Sequence, residues 1–88
     1  MNKEYKGKYF TIYSIIKENR KTPIYWLLNN DNFNLGEIKW FPAWRKYCFY
    51  PNMDTIWDTK CLEEVIEFMN QINNKRRSNN VKNIKENI

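Results

Sequence analysis

Residues 35–51, LGEIKWFPAWRKYCFYP, constrain the fold more than any other stretch of the chain. Two alternating segments flank Pro42–Ala43, and period-2 patterning on both sides of a turn predicts a β-hairpin pairing Leu35–Phe41 with Trp44–Tyr50. Pro-Ala is not a favoured dipeptide for the tightest hairpin turns, so a wider loop is equally compatible. A two- or four-residue loop gives the same parity, and Phe41 is expected opposite Trp44. One face then carries Ile38 and Trp40 with Arg45, Tyr47 and Phe49, and it is the better core. The other carries Leu35, Glu37, Lys39 and Phe41 with Trp44, Lys46, Cys48 and Tyr50.

Upstream of the hairpin, residues 1–7 read as a polar lead-in. Residues 8–16 (KYFTIYSII) are dense in β-branched and aromatic side chains and predict a strand. Pro23 opens a second strand, Ile24 to Leu28, which ends in the turn-forming cluster NNDNFN. Downstream lies the one clear helix. Asp58 is a good N-cap, and Trp57 before it is placed to pack on Leu62. Cys61, Leu62, Val65, Ile66, Phe68, Met69 and Ile72 then form a broad apolar stripe with helical spacing. Glu63, Glu64 and Glu67 early in the helix and Lys75, Arg76 and Arg77 late in it suit the helix dipole. The order ββββα predicts an α+β fold, a four-stranded antiparallel sheet with one C-terminal helix packed on one face. A single domain is expected over 1–77, with 78–88 a polar, frayed tail.

Composition narrows the chemistry. The chain has 88 residues, enough for one core only, and 17% of them are aromatic, which a disordered chain would not be. Asn, Lys and Ile are heavily used, a bias that AT-rich coding produces. The charge of +5 is uneven: residues 1–22 carry +4, 23–50 carry +1, 51–74 carry −4 and 75–88 carry +4. The folded part is thus nearly neutral, which ranks direct DNA or RNA binding below other functions. There is no His, so imidazole-based nucleophilic and zinc sites cannot be built. No glycine-rich phosphate loop is present either. A catalyst would rest on carboxylates alone, so the expectation is a protein that is not an enzyme and needs no cofactor or metal. No run of apolar residues is long enough to span a membrane, and no signal peptide is visible, which predicts a cytoplasmic protein. Cys48 and Cys61 then read as reduced thiols, with a strand-to-helix disulfide as the alternative.

The run I-x-W-x-x-x-W-R-x-Y-x-F-x-P, formed by Ile38, Trp40, Trp44, Arg45, Tyr47, Phe49 and Pro51 and followed by a helix, resembles small phage- and prophage-encoded proteins. The resemblance covers about residues 35–70. It implies a phage or mobile-element origin and action in a bacterial host cytoplasm, and it transfers no site residue.

The residues that point to a ligand are Lys39, Phe41, Trp44, Lys46 and Tyr50 on the second face of the hairpin. In the expected register Lys39 and Lys46 lie opposite each other, which is destabilising unless Glu37 compensates or an anion binds. Aromatic rings offer stacking platforms and Lys supplies phosphate contacts, a pairing suited to a nucleotide or short oligonucleotide. Equally, the Lys stems could simply lie along apolar surface. Arg45 could stack on Trp40 or Tyr47, or pair with the helix carboxylates. Both faces of the strand at 8–16 are apolar while one helix covers one face, so the uncovered face is expected to meet a second copy or a partner. Two functions follow. One is a phage counter-defence factor that sequesters a cyclic or linear nucleotide-type immune signal; the other is an inhibitor that binds a host defence enzyme or nuclease through the apolar sheet face.

Overall fold

The computed structural model describes the backbone of residues 1–86 and the side chains of residues 1–76. Five strands and one helix follow in chain order: β1 (Asn2–Lys6), β2 (Phe10–Ile15), β3 (Ile24–Asn29), β4 (Asn34–Phe41), β5 (Lys46–Pro51) and α1 (Thr59–Glu86). The strands form an antiparallel meander in sequence order, and α1 packs on one face. The architecture is α+β as expected, with one strand more than the four read from the sequence.

The added strand is β1, which occupies the segment read as a lead-in. Its residues, NKEYK, carry no apolar alternation, because as an edge strand it contributes only Tyr5 to the core side. Tertiary contacts hold it instead. The Tyr5 hydroxyl donates to Glu64 on α1, and the Ser14 hydroxyl donates to Glu4 at 2.7 Å. A bulge between Lys3 and Tyr5 turns the strand so that both contacts form.

In β2 the alternation is strict. Phe10, Ile12 and Ser14 are buried, and Thr11, Tyr13 and Ile15 face the other way. Phe10, Ile12, Leu27, Ile38, Tyr47, Val65 and Phe68 make one core between sheet and helix. Full burial of each large apolar side chain contributes about 1.5–3 kcal/mol. Edge-on aromatic contacts align the layers, with Tyr25 5.8 Å from Tyr47 and 5.2 Å from Phe68. Gly36 lies under this layer, where a Cβ would stand 2.8 Å from the Tyr50 carbonyl oxygen and 2.9 Å from the Phe49 ring. The Asn cluster after β3 turns as expected: the Asn29 side-chain oxygen accepts from the N–H groups of Asp31 and Phe33, and Asn32 has φ 66°.

Asp58 caps α1 as its sequence position predicts, its carboxylate accepting the Cys61 N–H at 2.8 Å. That bond holds the Asp58 pKa below the ordinary carboxylate value. The contact expected between Trp57 and Leu62 does not define the helix start. Trp57 packs on the sheet instead, 6.1 Å from Phe10 and 5.1 Å from Phe49, and Leu62 stays 39% exposed. The backbone of 78–86, expected as part of a frayed tail, continues α1. The remaining part of that tail, residues 87 and 88, lies outside the described residues. Among the described residues, no helix is long and apolar enough to cross a membrane.

Candidate functional site

The β4–β5 turn and the fourth and fifth turns of α1 meet at one end of the molecule. Phe41 and Lys46 are the last paired residues of the hairpin, so Pro42, Ala43, Trp44 and Arg45 form a four-residue loop. Its shape follows from local bonds: Trp44 N–H donates to Phe41 O, and Arg45 N–H donates to Pro42 O, both at 3.2 Å. Arg45 closes the loop at φ 52°, a left-handed conformation that costs a non-glycine residue about 1–2 kcal/mol. Such outliers concentrate where geometry serves a site. Asn32 and Asp54, which also have positive φ, are residue types that tolerate it in ordinary turns.

The wider loop corrects the expected register by two residues. Phe41 faces Lys46 rather than Trp44, and Lys39 faces Cys48 rather than Lys46. A shift of two preserves parity, so each side chain that stays in a strand keeps its expected face, whereas Trp44 and Arg45 leave the strand for the loop. Ile38 is fully buried and Tyr47 nearly so on the helix side. Lys39, Phe41, Lys46, Cys48 and Tyr50 stand on the open side. The facing pair of lysines that pointed to an anion is therefore absent. Lys39 lies 3.7 Å from the Glu37 carboxylate and 4.6 Å from the centre of the Tyr50 ring, so its charge already has partners.

The five residues singled out in the sequence separate accordingly. Lys39 and Tyr50 form a small cluster with Glu37 on the open face. Phe41 sits against Trp44, ring centres 4.8 Å apart and nearly perpendicular. Trp44 and Lys46 belong to a different environment, a cleft of about 390 Å³ between the turn and α1. Arg45, Lys46 and Arg76 supply cations to its walls, Asn70, Asn73 and Asn74 supply amides, and Trp40 and Trp44 supply indole rings. Among the described residues, no carboxylate lines it.

Two contacts shape this cleft. The Arg76 guanidinium lies 4.2 Å from the centre of the Trp40 ring, which in turn packs edge-on against Tyr47 at 5.4 Å. Asn73 binds the backbone of Tyr47 at both ends, accepting its N–H at 2.8 Å and donating to its carbonyl at 3.3 Å. That bidentate amide pins α1 to the edge of β5 and fixes how far the cleft opens. Burial raises the Tyr47 pKa, with the Arg76 charge acting in the opposite direction. Arg45 takes neither role expected of it: among the described residues it forms no ion pair with a helix carboxylate, and Arg76 occupies the Trp40 face. Trp44 is 65% exposed and free to meet a flat partner.

Chemically, the cleft can bind an anion that also carries a planar, hydrogen-bonding group. Sequence reading missed Trp40, Arg45, Asn70, Asn73, Asn74 and Arg76 as members of it. A signal was available in the i, i+3, i+4 spacing of Asn70, Asn73 and Asn74, a polar stripe beside the apolar one. Cys48 and Cys61 are both free thiols; Cys48 lies on the open face of β5, whereas Cys61 packs against the core. Burial raises the Cys61 pKa, and the neighbouring Asp58 adds to the effect.

Compared with known proteins, the chain is similar to an uncharacterized 9.3 kDa protein of Acholeplasma phage L2. The two are 35% identical over 52 residues, covering 58% of this chain and 67% of that protein. No family model matches the chain, and no solved structure matches it.

Proposed function

We propose, from the premise that the chain belongs to the family of the 9.3 kDa protein of Acholeplasma phage L2, that it is a phage-type binding protein that captures a nucleotide-type anion. The observation that carries this reading is the cleft, whose described walls hold three cationic side chains, three amides and two indole rings and no carboxylate. Lys46, Arg45 and Arg76 would take the phosphates, and Trp44 would stack on a base, a contact worth about 1–3 kcal/mol. Asn70 and Asn74 would bond the base edge. With neither carboxylate nor imidazole among those residues, the cleft walls supply no general base, and their chemistry favours holding a ligand over cleaving it. The cellular role consistent with this is counter-defence, in which the protein sequesters a cyclic or linear oligonucleotide immune signal in the bacterial cytoplasm.

Purified protein tests the reading in two ways. Mass spectrometry of small molecules released on denaturation should reveal a nucleotide. Calorimetry and thermal shift with mono-, linear and cyclic oligonucleotides should show stabilisation that Trp44→Ala and Arg76→Ala abolish. Absence of any bound or stabilising nucleotide would overturn it. A second reading, inhibition of a host defence enzyme, draws on Tyr13, Trp26, Phe41 and Tyr50, which stand on the sheet face that α1 leaves uncovered. It requires a host protein that co-purifies and is released by substitutions at Tyr13 or Trp26.

A further inference from the structure

β2 and β4 run in the same direction, so the β2–β3 and β4–β5 turns lie at the same end of the meander. A backbone bond from Arg20 N–H to Lys17 O at 3.0 Å shapes the first of these turns. Arg20 and Lys21 are thereby set beside Trp40 and Pro42 at the end of β4, where with Thr22 and Arg76 they line a second cleft of about 360 Å³. Trp40 and Arg76 line both clefts, and the guanidinium lies 4.2 Å from the centre of the indole ring, so the stacked pair forms a wall common to the two. Among the described residues, no carboxylate lines the second cleft, and Glu18 of the same turn is not part of it.

Segments far apart in the chain supply the charge of this end. Arg20 and Lys21 stand in one cleft, Arg45 and Lys46 in the other, and Arg76 in both. Among the described residues none of these five cations forms an ion pair, the one such pair being Lys39 with Glu37. The carboxylates of α1 are elsewhere: Glu64 accepts from Tyr5 beside the β1–β2 turn, at the opposite end. Arg20 and Arg76 act on the same group, for burial raises the Tyr47 pKa and both guanidinium charges oppose that rise. Cations gathered without counter-charges repel one another. Phosphate groups relieve that repulsion through charge-assisted hydrogen bonds, which Arg makes in bidentate form.

We propose that Arg20 and Lys21 form a second phosphate site, so that the preferred ligand carries phosphates on two successive nucleotides, one on each side of the Trp40–Arg76 wall. The inference deepens the nucleotide reading of the first cleft and rests on it. Arg45 and Lys46 take one phosphate and Arg20 and Lys21 the next, with Arg76 placed to serve either. A mononucleotide engages the cations of one cleft and leaves those of the other without a counter-charge. A nucleoside triphosphate brings enough charge but concentrates it in one anhydride chain on one side of the wall. A dinucleotide, linear or cyclic, distributes its phosphates as the cations are distributed.

Calorimetry on the full chain tests it, with mononucleotides, nucleoside triphosphates, and linear and cyclic dinucleotides of each RNA base. A cyclic dinucleotide carries about the same charge as a mononucleotide, so a preference for it reports where the phosphates stand and not the total charge. The best dinucleotide should bind about tenfold or more tightly than its mononucleotide and triphosphate counterparts. Arg20→Gln with Lys21→Gln should erase that preference, a loss of about ten- to a hundredfold. Both side chains are exposed and a backbone bond holds their turn, so circular dichroism should not change. If the pair fails to fold, Lys21→Gln alone should shrink the preference. Equal affinity for mononucleotides or triphosphates, or a preference that survives the substitutions, overturns the second site and leaves the first cleft as a mononucleotide site. Binding of no nucleotide at all overturns the nucleotide reading and this inference with it.

Discussion

The same strands give the two faces of the sheet very different fates. On the helix side, Phe10, Ile12, Leu27 and Ile38 are wholly removed from water and locked by edge-on aromatic neighbours. One residue along each strand, Tyr13, Trp26 and Lys39 are only half-buried. Even the Trp26 indole N–H, shielded from solvent by its surroundings, lacks a hydrogen-bond partner among the described residues. The difference teaches that apolar content alone does not make a core. A covering layer does, and the described residues supply one helix for two apolar faces.

Truncation at the centre of the covered face should break the fold most severely. Ile38→Ala is expected to cost about 2–5 kcal/mol in denaturant unfolding, because its surroundings on β3, β5 and α1 cannot collapse into the space. If Tyr50→Ala on the open face costs as much, the two faces are not distinct. Next comes overfilling of the same layer. Gly36→Ala should destabilise by about 1–3 kcal/mol, since the new methyl meets the rigid Tyr50 carbonyl and the Phe49 ring rather than a side-chain end that can swing away.

A smaller effect concerns the added strand. Tyr5→Phe removes the bond to Glu64 and should cost about 0.5–1.5 kcal/mol. Its signature is alkaline. The bond to the Glu64 carboxylate and burial raise the Tyr5 pKa from 10.0 to about 12, and burial does the same for Tyr25. Both hydroxyls are thus held protonated in the folded state. Their contribution is complete below pH 10 and is lost as the pH rises through 12, so the parent should unfold more steeply with pH in that window than Tyr5→Phe. Identical alkaline profiles would show that Tyr5 does not tie β1 to α1.

Smallest of all in stability is Lys46→Ala, expected within about 0.5 kcal/mol of the parent. With Lys39 facing Cys48, the cross-strand pair of lysines whose repulsion would be relieved is absent. Nucleotide binding should nevertheless weaken in this variant, measured by calorimetry. A large loss of stability with binding intact would remove Lys46 from the cleft.

Much of this molecule is legible in its amino-acid sequence. Period 2 assigned Ile38, Tyr47 and Phe49 to the core and Lys39, Lys46 and Tyr50 to the opposite face, and that assignment survives a two-residue slip because parity does. Asp58 marked the helix start because capping is a local bond between a carboxylate and an N–H three residues on. Three features were decided only by tertiary structure. The hairpin register depends on how a four-residue loop closes, with Arg45 held in a left-handed conformation that no local pattern announces. β1 exists because Tyr5 and Glu4 find partners on α1 and β2, and its own sequence is too polar to declare a strand. The cleft arises from Arg76 and the Asn residues of α1 meeting Trp40, Trp44 and Lys46 from a hairpin some 30 residues earlier. Local rules set which way a side chain points; what it meets there depends on the packing of distant segments.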